Sequence, residues 1–436
     1  MPRASTSKSE KQMMNDMNQP IFRKLDLNSL EHFDSTIGLD DSTISETVQI
    51  VNAVENGGDQ SLLEFVRKFE NDAIKNVEIL SRDALEESLK EIDSETRTIL
   101  ENTCERISTF AKAQLDSIQE VTVDVPGGRA GHTVEPIEAV GCYAPGGRYP
   151  LPSSVLMTAA VARAAGCPKV YVASPNPNAV TRAAAWIAGA DALVPYGGAH
   201  MISAMANGTE SIPKVDLIVG PGNRWVTAAK QIVFGRVAID MLAGPSELLI
   251  LADENADPKV IAADLLAQAE HDDEARTFLV STSQEIADAT IVELEKQLKE
   301  IGTREVARKS LQNGGYVLTN SLEQSIEIAN RLAAEHLQIQ CEDAASIAKR
   351  IAHAGCIFVG NRTAEVFGDY GIGPNHTLPT AGTARYRGGL SVFDFVRIRT
   401  WLELDQLPDR CRQEMAALAD LEGLEAHARA CRIART

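Results

Sequence analysis

Between Glu138 and about Phe234, short apolar, partly β-branched runs alternate with alanine-rich stretches, and this alternation constrains the fold more than any other feature of the chain. The runs are Ala139-Val140-Gly141-Cys142, Val170-Tyr171-Val172-Ala173, Ala192-Leu193-Val194 and Val215-Asp216-Leu217-Ile218-Val219. The stretches between and after them, 153–165, 178–188, 199–207 and 223–234, carry a helical pattern. Strands joined through helices pair in parallel, so repeated units of this kind predict a parallel sheet with helices on both faces. A second block follows, with strands near 247–252, 277–281 and 356–359 and helices near 258–271, 284–299, 321–337 and 343–354. The fold class is α/β.

A chain of 436 residues exceeds the usual size of one core, and its 44% apolar residues suffice for two. Residues 45–118 read as mostly helical and acidic, followed by a turn at Val125-Pro126-Gly127-Gly128; residues 409–432 form an Ala/Leu/Arg helical pattern. Residues 1–19 are polar, lack an apolar signal core and contain Glu10 and Asp16, so a disordered extension is expected.

The net charge of −19 argues against a polyanionic partner, because binding nucleic acid or an anionic membrane rests on neutralising phosphates with Lys and Arg. Nor does any window reach the roughly 18 unbroken apolar residues of a membrane span. The seven cysteines are odd in number and contain no C-x-x-C pair, which fits a reducing cytoplasm better than a disulfide framework or thiolate zinc cluster.

Three loops after predicted strands carry glycine: Pro145-Gly146-Gly147, Gly197-Gly198 and Gly220-Pro221-Gly222-Asn223. Ligands of open α/β sheets sit at the carboxyl ends of strands, where glycine lets backbone N–H groups approach a phosphate. No G-x-G-x-x-G follows a strand, and ordinary tight turns explain these loops equally well.

Four scattered pieces could bind a metal and move protons. On a helix over 258–271, Gln268 and His271 share a face and can offer an oxygen and a nitrogen to one ion, or form a plain solvated pair. Asp369 lies among the turn formers Gly368, Gly371, Gly373 and Pro374, either as a rigidly held ligand or as an Asx-turn residue. Glu335 and His336 close the helical run 321–337, about 100° apart around it. They suit a general base with a carboxylate that holds it or activates water, and equally an exposed charge pair at a helix end. His427, in Glu422-Gly423-Leu424-Glu425-Ala426-His427, is by itself an unremarkable helix histidine. A metal-dependent hydrolase of a small amide would use the same residues.

From about residue 20 to 436 the chain resembles the histidinol dehydrogenase family. The resemblance is carried by Gly141-Cys142-Tyr143-Ala144-Pro145-Gly146-Gly147, Pro152-Ser153-Ser154-Val155-Leu156-Met157, Gly220-Pro221-Gly222-Asn223, Ala243-Gly244-Pro245-Ser246-Glu247 and Gln268-Ala269-Glu270-His271. It continues through Ala334-Glu335-His336-Leu337, Gly373-Pro374-Asn375-His376, Gly389-Leu390-Ser391-Val392 and the stretch from Glu422 to His427, all in the family's order.

The resemblance implies two Rossmann-like parallel-sheet domains with small N- and C-terminal helical segments. Residues 1–39 would form an extension and arm, 40–140 with 246–390 a discontinuous first domain, 141–245 the second, and 391–436 a dimerisation segment. It implies an NAD-dependent oxidation of L-histidinol to L-histidine through histidinal. Zinc, or manganese or cobalt in its place, would be held by Gln268, His271, Asp369 and His427. His336 would be the general base and Glu335 the activator of water. Ser246, Gln268, His271, His336, Asp369, Glu422 and His427 would contact substrate, and Tyr143 and Asn223 cofactor. The last segment would complete a partner's site in a homodimer. His200 stands where relatives carry a cofactor-contacting glutamine. The stretches Phe110–Gln114, Gly146–Pro150 and Ala384–Gly389 resemble a branch acting on other small polar alcohols, such as sulfonated diols, which sets the alternative substrate.

Overall fold

Short polar side chains start the helices. Asp40 accepts the N–H of Thr43 at 2.7 Å, Asp93 that of Thr96 at 2.7 Å, Asn178 that of Thr181 at 2.9 Å and Asn223 that of Val226 at 3.1 Å, each capping an orphan donor. In this computed structural model the described residues are 20–26, 38–146 and 150–433. The expected extension 1–19, most of the arm and Gly147, Arg148 and Tyr149 lie outside them.

The first half of the chain supplies β1 (Leu80–Ser81), β2 (Val121–Val125), β3 (Gly128–Pro136), β4 (Ala139–Tyr143), β5 (Lys169–Ala173), β6 (Ala192–Val194), β7 (Leu217–Val219) and β8 (Ala238–Ile239). Six of them form one sheet in the order β1-β6-β5-β4-β7-β8, parallel except for β1. Next come β9 (Glu247–Ala252), β10 (Arg276–Ser281), β11 (Gly315–Leu318), β12 (His336–Gln340) and β13 (Cys356–Val359), a five-stranded parallel sheet ordered β11-β10-β9-β12-β13. The central strands β4, β9 and β12 are buried at every residue. Helices cover both faces of such a sheet, so these strands need not alternate with polar residues. β14 (Val396–Leu404) pairs antiparallel with β3, and β3 with β2, through the turn read at Val125–Gly128; this third sheet was not anticipated.

The helices Asp41–Phe69 and Ser94–Leu115 pack on the first sheet: Val51, Val54, Leu62 and Val66 lie against Ile202 and Val226, and Leu100 and Ile107 join Met157 and Leu193. The grouping of 40–140 with 246–390 therefore does not follow the packing. An amphipathic face marks a helix as covering, without saying which sheet it covers. Ile21 and Phe22 do join the second core, and Leu25 N–H donates to Tyr316 O at 2.8 Å along the edge strand β11.

The expected helix over 321–337 is two elements. The helix Leu322–Leu332 stops at Ala333, whose φ of 49° is left-handed, and β12 starts at His336. Glu335 and His336 thus sit at a strand entrance and not around a helix. Gln338 and Gln340 hid this strand, because polar residues suggest exposure. Both are buried, their Nε2 groups donating to Asp264 Oδ2 at 2.7 and 3.0 Å. The helix expected at 343–354 spans only Ala344–Ala348, and that expected at 258–271 ends at Ala269, leaving His271 just beyond it.

Candidate active site

The two sheets present opposite edges to the site. In the first, the chain runs outward from β4 through β5 to β6 and returns to β7 on the other side of β4, so the crevice opens at the carboxyl ends of β4 and β7. Tyr143 closes β4 and Gly220 follows β7. Gly220 has φ +112°, and a Cβ there would meet Tyr143 O at 2.0 Å, so only glycine fits this close approach. In the second sheet the reversal falls between β9 and β12, yet the reactive residues stand at the amino ends: Glu247 opens β9 and His336 opens β12. Residues 240–246 join the two edges, with Gly244 N–H donating to Thr380 Oγ1 at 2.6 Å and Thr227 Oγ1 to Ala243 O at 3.1 Å. The loop bearing Asp369 also touches the first half: Asn375 Nδ2 donates to Met157 O at 2.7 Å and Arg106 Nε to Gly371 O at 2.9 Å.

His336 is buried, with Nδ1 3.1 Å from Glu247 O and 3.5 Å from Glu335 Oε2. Its Nε2 faces Asp369 Oδ1 at 3.7 Å and has no hydrogen-bond partner among the described residues. Burial pushes the imidazole down, but the carboxylates of Glu335, Asp369 and Glu365 outweigh it and hold His336 well above the ordinary histidine value. Glu335 accepts the N–H of Glu247 at 2.8 Å. Glu247 itself is pushed up to about 7 by burial and by the neighbouring Glu335.

Asp369 ends the short helix Val366–Asp369 and lies between two imidazoles, with Oδ2 3.5 Å from His271 Nε2. Burial pushes this carboxyl up, while the facing imidazoles of His271 and His336 more than reverse the shift and hold it well below the usual range. Asp369 in turn raises His271. Among the described residues, His336, Glu365 and Asp369 each offer an atom within 4.8 Å of the others. Gln268 Oε1, both Glu365 oxygens and His376 Nε2 are buried without hydrogen-bond partners. Buried polar atoms are normally satisfied, so two bare Glu365 oxygens converging with His336 and Asp369 fit a divalent cation.

Ser246 immediately precedes β9, half-buried beside this cluster. Asn223 is exposed at the mouth of the β7 loop, with its carbonyl oxygen used as a helix cap. Tyr143 is buried, its hydroxyl accepting the N–H of Gly198 at 3.0 Å. His200 turns inward, 3% exposed, with Nε2 3.1 Å from Glu70 Oε1, so its ring is not presented to the cleft. Glu422 and His427 are exposed near the C-terminus, and the cluster of potential ligands within one chain does not include His427. Sequence reasoning missed Glu247 and Glu365 as members of the site. Glu247 reads as the first residue of an apolar strand and Glu365 as one more acid before a turn; only their burial reveals them.

Fold and site define a two-sheet α/β enzyme, with a cofactor-type crevice on one sheet facing a proton-handling, metal-compatible cluster on the other. The sequence model of the histidinol dehydrogenase family matches residues 36–435. The chain is 42% identical over 400 residues to histidinol dehydrogenase of Thermus thermophilus, covering 91% of this chain and 95% of that one. It is 41% identical over 389 residues to that of Aquifex aeolicus, covering 88% and 91%. The crystal structure of histidinol dehydrogenase from Elizabethkingia anophelis superposes with a TM-score of 0.89 at 30% identity, covering 95% of this chain and 98% of that one. The chain belongs to the histidinol dehydrogenase family.

Proposed function

We infer that the chain oxidises L-histidinol to L-histidine with NAD, the last step of histidine biosynthesis, in two hydride transfers through histidinal. The observation that carries this reading is the state of His336. Its Nδ1 faces a carbonyl, which can only accept, so Nδ1 keeps its proton when the ring is neutral and the buried Nε2 is the nitrogen that then serves as base. Nε2 takes the alcohol proton as the hydride leaves for the nicotinamide, which would lie at the crevice of β4 and β7 beside Tyr143 and Asn223. Glu335, next to His336 and away from bulk water, then takes a proton from the water that adds to the aldehyde, setting up the second transfer.

Gln268, His271 and Asp369, with His427 of a second copy, would hold zinc, and manganese or cobalt also suits this N/O set. When bound, the ion supplies a template that orients the substrate's imidazole and amino nitrogens. Ser246 and a second copy's Glu422 would add substrate contacts. A homodimer is supported by the apolar face near those residues: Met415, Leu418 and Leu421 on the helix Asp409–Leu421, and Leu424 in the turn after it, are 43 to 86% exposed. The test is an assay of purified protein with NAD and L-histidinol, expected to yield about two NADH per alcohol consumed. Turnover of a sulfonated diol but not of L-histidinol would replace this substrate with the alternative, and amide hydrolysis without NAD would replace the reaction class.

A further inference from the structure

We propose that Glu70 is a positioning residue for the cofactor crevice, and that His200 belongs to this clamp instead of touching the cofactor; the proposal rests on the NAD reading above. Glu70 follows the helix Asp41–Phe69, 127 residues before the loop it holds. Its Oε1 accepts the N–H of Gly197 at 3.0 Å and lies 3.1 Å from His200 Nε2. The His200 ring is stacked against Phe65 and Phe69, with centroids at 6.2 and 6.0 Å. Beside it the hydroxyl of Tyr143 accepts the N–H of Gly198.

The helix Gly198–Asn207 follows the carboxyl end of β6, where free N–H groups at a helix start commonly face a phosphate. Here the donors of Gly197 and Gly198 are consumed internally, by a carboxylate and a phenol. This turn therefore serves as a wall of the crevice, and its position is set from behind. The wall is tight: a Cβ on Gly197 would meet both the Pro175 ring and the Tyr143 hydroxyl at 2.8 Å. Pro175 in turn lines a cavity of about 170 Å³ with Gly146, Ser174 and Asn178, at the ends of β4 and β5. Moving Gly197 would move Tyr143 and Pro175 together.

A second observation separates Glu70 from a residue kept for stability alone. Its Oε2 is buried and has no hydrogen-bond partner among the described residues. A carboxylate held half-satisfied in a core is costly, and such exceptions call for a reason beyond packing. Fixing the Gly197–Gly198 turn against Tyr143 supplies one.

Calorimetry of NAD binding and steady-state kinetics test the proposal on the full-length protein. Glu70→Ala should raise the Kd and KM for NAD about tenfold, the scale of a lost charge-assisted hydrogen bond, while kcat and the KM for L-histidinol stay within about twofold. Glu70→Gln, whose amide oxygen still accepts from Gly197, should return NAD affinity to within about threefold of wild type. If the alanine variant does not fold, Glu70→Asp takes its place, because the shorter side chain cannot span Gly197 and His200 together. Wild-type NAD affinity in the alanine or aspartate variant overturns the proposal, as does a matching loss in kcat and in the KM for both substrates. A wild-type protein that binds no NAD overturns the functional reading itself, and the proposal with it.

Discussion

The Nδ1 of His336 lies 3.1 Å from the carbonyl oxygen of Glu247, which fixes the tautomer of the imidazole from the neighbouring strand. The contact comes from the register of β12 on β9, which pairs His336 with Leu248. The base is thus set by sheet geometry, and its reactive nitrogen points away from the sheet toward Asp369.

Glu335→Gln tests the division of labour between the two neighbours. The glutamine oxygen can still accept from Glu247 N–H, so the fold should persist. The first oxidation should stay within about threefold and the second slow by about a hundredfold, the usual scale of a lost general base. Burial pushes His336 down and Glu335 pushes it up. Removing that negative charge lowers the histidine's pKa, so the neutral base persists to lower pH and the acidic limb of the rate profile should shift to lower pH. Single-turnover kinetics with L-histidinol and with histidinal separate the steps. An equal loss in both would remove Glu335 from the water-activating role.

Mixing two inactive variants tests whether sites are shared between copies. His336→Ala and His427→Ala should each be inactive as pure dimers. In a mixed dimer, one site carries both lesions and the other carries neither. Random exchange makes half of the dimers mixed, so about a quarter of wild-type activity should return. Assay after refolding or long co-incubation reads this directly, and no recovery despite proven exchange would place His427 within its own chain's site or outside any site.

The βα alternation over 138–234 made the four inner strands of the first sheet, β4 to β7, legible, because each apolar run is bounded by glycine or by an alanine-rich helix, whereas the two-residue strands β1 and β8 were not. β12 was not legible. Its glutamines point at Asp264 inside the protein, a pairing that needs the fold to exist before it can be seen. The cluster was legible in part: Gln268, His271, Glu335, His336 and Asp369 stood out as candidate residues and took their separate roles from family resemblance, whereas Glu247 and Glu365 emerge only once burial makes their carboxyl groups unusual. Nor did any spacing rule indicate that the second sheet works from the amino ends of its strands.

Gln268→Met separates a metal ligand from a core residue. Gln268 is 1% exposed and its Oε1 has no partner among the described residues, a cost of about 1–3 kcal/mol in the metal-free protein. Methionine has a similar volume and no such acceptor. The metal-free variant should therefore be at least as stable as wild type, while zinc content by elemental analysis falls and added zinc no longer raises Tm. Full zinc occupancy in the variant would exclude Gln268 from the ligand set.

Asp264 offers a test of pH-linked stability. It is 6% exposed, and burial pushes its carboxyl up to about 6 although Gln338 and Gln340 donate to it. Its value is thus higher folded than unfolded, so the folded state binds more protons between about pH 4 and 6, and stability gained from this group falls as pH rises through that window. A shift of about two units corresponds to roughly 3 kcal/mol lost once the group is ionised. Asp264→Asn removes the charge, and its amide can still accept from one glutamine while donating to Gln338 Oε1 or Gln340 Oε1, which have no partners among the described residues. Urea unfolding at pH 8 should show the variant more stable by about 2–3 kcal/mol, with the difference shrinking toward pH 4. A variant less stable than wild type by the same amount at every pH would mean that the charged carboxylate is a favourable partner for the two glutamines.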